Sequence, residues 1–319
     1  MKRFKQAARH GVGALMSVLV LGASLAGCGG GGSQIQPFVP TGIIAFGDET
    51  SVITAQGNKY SENAVSATST ALVCQNNPIW TQIVATRFGL TFSECNPNNL
   101  AVPQGQSFAQ PGATVADFQH QLDVYFSTNA FSGTTLVTVL VGANDILALY
   151  RQFPNLTVSS LEAAATTAGA NLATQVNRAA TAGAKVIIST VPDQGLTPFA
   201  ISETLVRTDY NRGQLLTQLT TAFNSGLRLN LINDGHMIGL VLADEMLDSA
   251  VKYPSAYGFK DVIDPACLST VALPNCSDST LVAGATSSTW LWADNLHFGA
   301  GGHRQLGNLA QARATNNPF

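Results

Sequence analysis

Asp294 and His297 stand three residues apart in "WADNLHF", a carboxylate near an imidazole, two residue types that can hold and pass protons. Upstream, three polar turns each close an apolar run. They are Gly47-Asp48-Glu49-Thr50, Gly142-Ala143-Asn144-Asp145 and Pro192-Asp193-Gln194-Gly195. Carboxylates and an amide at such turns can hold protons, donate hydrogen bonds or orient a ligand.

The elements that carry these turns are legible as runs. "TGIIAFGD", "TTLVTVLVGAND" and "AKVIISTVPD" read as short buried strands rich in β-branched residues. "PIWTQIVATRFG", "GATVADFQHQLDVYF", "SLEAAATTAGANLATQVNRAATAG", "DYNRGQLLTQLTTAFNSGLR" and "GAGGHRQLGNLAQARA" have helical spacing. "LNLIND" reads as a further strand, and "HMIGLVLADEMLDSAVKYP" as a helix closed by Pro254. Strands separated by helices predict an α/β fold: three layers, α/β/α, around a central mostly parallel sheet. Ligands of such sheets bind beyond the carboxyl ends of the strands. That places Asp48, Glu49, Asn144, Asp145 and Asp193 near one crevice.

The N-terminus reads as an export signal. Lys2, Arg3, Lys5 and Arg9 precede the apolar run "GVGALMSVLVLGASLAG", which is too short and wrongly flanked to span a membrane. "LAGC" resembles a bacterial lipobox, which makes Cys28 the lipid-bearing first residue of the mature chain. Residues 1–27 are then signal peptide, 28–41 a lipidated cysteine and Gly-rich tether, and 42–319 the folded domain. Gly29 stands where an inner-membrane retention aspartate would sit, which points by analogy to the outer membrane. Removing the signal leaves 12 Lys and Arg against 19 Asp and Glu, a net charge of about −7. That balance argues against a nucleic-acid partner.

Four cysteines follow Cys28. An even number in an exported chain predicts disulfides, and nearest-neighbour pairing gives Cys74–Cys95 and Cys267–Cys276. Neither pair has zinc-ligand spacing and no histidine lies near either, so no metal is expected. His303 follows His297 by six residues, off its helical face, and reads as a packing residue. His120 and His236 read as structural.

Four blocks in order resemble the SGNH/GDSL hydrolases, a family of esterases and lipases: "FGDET", "SFAQPGATVADF", "VGAND" and "WADNLHF". The resemblance runs from about Gly42 to Ala312. It implies an SGNH/flavodoxin-like fold and ester hydrolysis without a cofactor. The partner it implies is a small-molecule or lipid ester, or another acyl or glycan ligand, with membrane contact through the N-terminal lipid. Residue by residue, it makes His297 the base and Asp294 the group that orients it. Gly112 supplies a backbone N–H and Asn144 a side-chain donor to the oxyanion hole.

Two positions depart from the family pattern. Phe298 follows the histidine where many members carry proline. Glu49 stands where the nucleophilic serine would be, and it has no hydroxyl with which to form an acyl-enzyme. Three readings follow. The site is a degenerate hydrolase that keeps its cleft for binding. Or Glu49 acts itself, positioning a water or attacking directly. Or the nucleophile has moved to Ser51, two residues on.

Overall fold

The computed structural model describes residues 37–319. The signal peptide, Cys28 and most of the tether lie outside the described residues. Residues 37–319 form one unit. Phe38 packs edge-on against Phe88 and Phe319, so packing begins within the last residues assigned to the tether.

Five parallel strands build the main sheet: β1 (Gly42–Gly47), β2 (Gly105–Ser107), β3 (Thr135–Leu140), β4 (Lys185–Ser189) and β5 (Ile238–Val241), in the order β2-β1-β3-β4-β5. Side chains alternate across it. Leu136, Leu140 and Ile187 face one layer, while Val137, Val139, Val186 and Ile188 face the other. The first layer holds α1 (Trp80–Arg87), α7 (Ala243–Lys252) and α8 (Ala300–Asn316). The second holds α2 (Val115–Thr128), α3 (Ala143–Tyr150), α4 (Val158–Thr181) and α6 (Arg212–Asn230), with the short α5 (Pro198–Val206) at its margin. This is the three-layer α/β/α architecture that the runs predict.

The strand order reverses between β1 and β3, which is where such sheets open a crevice at their carboxyl edge. The turns after Gly47 and Leu140 therefore face the same space. A second, two-stranded parallel pair, β6 (Asp261–Pro265) and β7 (Trp290–Trp292), delivers the chain into "WADNLHF".

Local chemistry fixes the helix starts near the crevice. Thr114 accepts from the Asp117 N–H while the Asp117 carboxylate accepts from the Thr114 N–H, a reciprocal cap on α2. Thr197 caps α5, with Pro198 at its first position.

One segment differs from the sequence expectation. "LNLIND" is not a strand: α6 continues to Asn230 and leaves Leu229 on its solvent face. The fifth strand lies later, inside the stretch expected to be wholly helical, because "IGLV" reaches the sheet and α7 begins only at Ala243. Both disulfides are present as expected. Cys74 and Cys95 have Cα atoms 5.7 Å apart, and Cys267 and Cys276 have theirs 6.0 Å apart.

Candidate functional site

The end of β1 is set by a close approach. Gly47 has φ +128°, and a Cβ there would stand 1.9 Å from the Leu140 carbonyl oxygen. Only glycine lets β1 and β3 end so close together. Gln121, buried on α2, holds both polar groups of Gly47: its Oε1 accepts from the N–H at 2.9 Å and its Nε2 donates to the C=O at 2.9 Å. Asp48 then accepts from the Thr50 N–H at 3.0 Å, which turns Glu49–Ser51 into one 3₁₀ turn. Glu49 opens that turn.

The Glu49 carboxylate is met by three donors. Gly112 N–H donates to Oε2 at 2.7 Å. Asn144, at the second position of α3, donates from Nδ2 at 3.1 Å to Oε2 and 3.3 Å to Oε1. His297 Nε2 lies 3.2 Å from Oε1. The other ring nitrogen of His297, Nδ1, lies 2.8 and 2.9 Å from the two oxygens of Asp294. Asp294 also accepts from the backbone N–H groups of Leu296 and His297, each at 2.8 Å, so one carboxylate shapes the turn and holds the ring.

Both imidazole nitrogens face carboxylate oxygens, so both carry protons. Burial opposes charge on His297, but the hydrogen bonds and charges of Asp294 and Glu49 outweigh it and push its pKa up to about 10. Glu49 is held below the usual carboxylate range: burial would raise it, and the bond to His297 overrides this. The same balance lowers Asp294. Asp48 feels the His297 charge only as a minor opposing influence. Burial, and then the Glu49 charge, raise it to about 8.

The sequence-derived residues separate cleanly. Glu49, Gly112, Asn144, Asp294 and His297 converge. Ser51 does not: it is fully buried, and its Oγ accepts from the Trp80 indole at 3.1 Å. Asp145 instead accepts from the Val115 N–H at the start of α2. Asp193 caps the 3₁₀ turn Gln194–Leu196 and accepts from the Thr217 hydroxyl, so it too is taken up by local structure. His303 is buried behind the site, where it accepts from the Trp80 N–H and burial drives its pKa down to about 3. His120 and His236 are exposed.

A cavity of about 30 Å³ adjoins the cluster, bounded by Asp48, Glu49, Leu140, Val191, Leu296 and His297. That is room for about one water. A larger surface cavity of about 380 Å³, against Arg87, Phe92 and Cys95, shares no residue with the cluster. Among the described residues, no group of three or more His, Cys, Asp or Glu side chains is placed to hold a metal ion, and no helix is long and apolar enough to cross a membrane.

The sequence reading missed the segment Lys59–Asn63. Lys59 is fully buried, and its ammonium donates to the carbonyls of Cys74, Asn76 and Asn77 at 3.0, 2.6 and 3.0 Å. Burial lowers its pKa to about 8. The Tyr60 ring lies 6.3 Å from that of His297. Ser61 and Glu62 contact the residues after His297, and Asn63 donates to the carbonyls of Pro274 and Cys276. The one trace in the sequence is a Lys and a Glu inside "NKYSEN", which reads equally well as a solvated loop.

A family model described as GDSL-like Lipase/Acylhydrolase matches residues 43–310. No curated protein matches the chain. Among solved structures, the chain is similar to a member of the lipolytic G-D-S-L family from Veillonella parvula, at 13% identity and a TM-score of 0.42, covering 85% of this chain and 96% of that one. It is also similar to an acetylxylan esterase from Geobacillus stearothermophilus, at 13% identity and a TM-score of 0.43, covering 88% and 98%.

Proposed function

The chain belongs to the GDSL-like lipase/acylhydrolase family, and from that premise we propose that it is an ester-hydrolase scaffold closed by its own carboxylate, a binding protein of hydrolase descent rather than a serine esterase. The observation that carries this reading is the Glu49 carboxylate, bound at once by Gly112 N–H, Asn144 Nδ2 and His297 Nε2. In acyl transfer, backbone and amide donors of this kind stabilise a developing oxyanion, and the imidazole must be neutral to take a proton. Here an anion already occupies the donors. The imidazole, with a pKa of about 10, is charged at neutral pH. No hydroxyl stands at position 49.

The ligand on this reading is an ester or a related acyl or glycan compound that enters beside the closed centre, without a cofactor. The chain is exported, cleaved before Cys28, lipidated there and held at the outer membrane. The ordered series of basic residues, apolar run, small residues and cysteine supports that placement.

One observation favours a second reading. The cavity of about 30 Å³ beside Glu49 has room for a water that the carboxylate could activate. Against it stands the ion pair with His297, which lowers the basicity of Glu49.

One experiment tests the proposal. Wild type and Glu49→Ser are assayed side by side on short and long acyl esters and with a fluorophosphonate probe. Silence in the wild type with gain in Glu49→Ser is expected. Vigorous wild-type hydrolysis would sink it.

A further inference from the structure

We propose that Glu62, with Ser61, is the positioning device for His297, clamping the three residues that follow the imidazole. The need for a clamp comes from Phe298. A proline at that position would fix its own φ, and Phe298 does not. The chain after His297 must therefore be held by contacts.

One side of this segment is held by β7. Gly299 N–H donates to the Leu291 carbonyl at 2.8 Å, and the Phe298 ring stacks on Trp292 with centroids 5.1 Å apart. The other side is held by Ser61 and Glu62. Ser61 Oγ lies 3.1 Å from the Phe298 carbonyl oxygen and 3.1 Å from Glu62 Oε2. Ala300 N–H, in the first turn of α8, donates to Glu62 Oε2 at 2.6 Å. Gly299 stands at the N-cap of α8 and has no side chain to cap it, so Glu62 supplies the acceptor from a distant segment.

The fit is close. A Cβ on Gly299 would stand 2.7 Å from Glu62 Oε1, so the carboxylate packs directly on the backbone two residues past the imidazole. Glu62 is fully buried, and among the described residues its Oε1 has no hydrogen-bond partner. A carboxylate with an unsatisfied oxygen in the interior is costly. Burial raises its pKa to about 7, in line with that cost. Among the described residues, Ser61 beside it and Ala300, two residues past Phe298, donate to the Glu62 carboxylate. Hydrogen bonds weaken steeply with misalignment, and the 3.2 Å contact from His297 to Glu49 has little to spare.

This inference rests on the proposed function only in taking His297 as the charged imidazole that holds Glu49 in place. Its test uses the resting protein with no ester present, so it stands or falls independently of the esterase assays. The full chain, with histidine rings labelled with ¹⁵N, is titrated by NMR as wild type, Glu62→Ala and Glu62→Gln. His297 is assigned by loss of its signal in His297→Gln. The groups facing the ring, Glu49, Asp294 and Asp48, are unchanged in the Glu62 variants. Glu62→Ala is expected to lower the His297 titration midpoint by about one pH unit. It is also expected to speed exchange of the ring N–H shared with Asp294 about tenfold. Glu62→Gln keeps an acceptor for Ala300 and should restore both readings. A purely structural role would lower thermal stability and leave the native imidazole's midpoint unmoved. A folded Glu62→Ala with wild-type midpoint and exchange overturns the proposal. Should Glu62→Ala fail to fold, Ser61→Ala, which frees the Phe298 carbonyl, is read in the same way. Wild-type values there overturn it equally.

Discussion

Glu49 Oε1 and His297 Nε2 face each other at 3.2 Å, with Asp294 on the far side of the ring. The imidazole is thus held between two carboxylates, and the donors that would greet an oxyanion greet Glu49 instead. On the proposed reading, the pair leaves the imidazole a fixed cation.

Replacing the carboxylate by a hydroxyl should reopen the chemistry. Glu49→Ser is expected to react with fluorophosphonate probes and to raise ester turnover at least about 100-fold over wild type. Free donors and binding alone leave a residual roughly 10³–10⁴-fold over water when a triad member is missing, and the wild type should stay below that because Glu49 occupies its donors. Probe labelling and initial rates on short-chain esters check this. An unlabelled, inactive but folded Glu49→Ser would contradict it.

Glu49→Gln distinguishes occlusion from water activation. It keeps the bulk and removes the charge. Little change in a low wild-type rate is expected. A clear wild-type rate abolished by this change, with no serine labelled, would establish carboxylate catalysis.

The charged imidazole makes a signed prediction for stability. His297 binds its proton more tightly in the folded chain, with a pKa of about 10 against the ordinary 6.5. Its contribution is therefore complete below about pH 6.5 and lost as pH rises through about 10. Lys59, lowered to about 8, has the opposite slope above that pH, and Asp48, raised to about 8, adds a falling slope below it. The useful quantity is the difference in Tm between wild type and His297→Gln. It should shrink as pH rises from 6.5 to 10, followed by calorimetry. A constant or growing difference would show that the imidazole is not charged at rest.

Ser51→Ala should cost stability and nothing else. It leaves the buried Trp80 indole N–H without an acceptor, a loss of about 1–3 kcal/mol in chemical denaturation. Probe reactivity in the Glu49→Ser background should be unchanged. Loss of labelling there would put Ser51 in the chemistry.

Much of this was legible in the sequence, for definable reasons. β1, β3 and β4 are β-branched runs that stop at polar turns, so their existence and the edge they share could be read directly. β5 could not be placed, because "LNLIND" and "IGLV" are both short apolar runs and only the sheet chooses between them. The edge strand β2 is three residues long and gives no pattern. Among the site residues, Gly112, Asn144, Asp294 and His297 came from ordered blocks. That a carboxylate at position 49 could fill the donor site and hold the imidazole charged follows from the same blocks, while the contacts themselves, to partners 63, 95 and 248 residues away, are seen only in the fold. Lys59 and Glu62 were invisible because charged residues in a loop are normally solvated, and their burial depends on carbonyls and an N–H from distant segments.

The disulfides and the anchor give one further test. Replacing Cys74 and Cys95 by serine should lower stability by about 3 kcal/mol in the chain-entropy picture of a loop of this length. Cys28→Ser should release the protein from membranes into the soluble fraction, since lipidation there is its proposed attachment. Fractionation that left Cys28→Ser in the membrane would contradict the lipobox reading.

Glu49 is also a ligand on a tether. Its carboxylate is delivered to the Gly112, Asn144 and His297 donors by its own backbone, fixed where Gly47 meets Leu140. A tethered group competes at an effective concentration in the millimolar range or far above it, depending on how rigidly it is held. Free carboxylates such as acetate therefore face an internal rival that dilution cannot weaken. A ligand that displaces it must bring binding energy from elsewhere in the crevice. The barrier to entry is set by geometry rather than by the chemistry of the entering group.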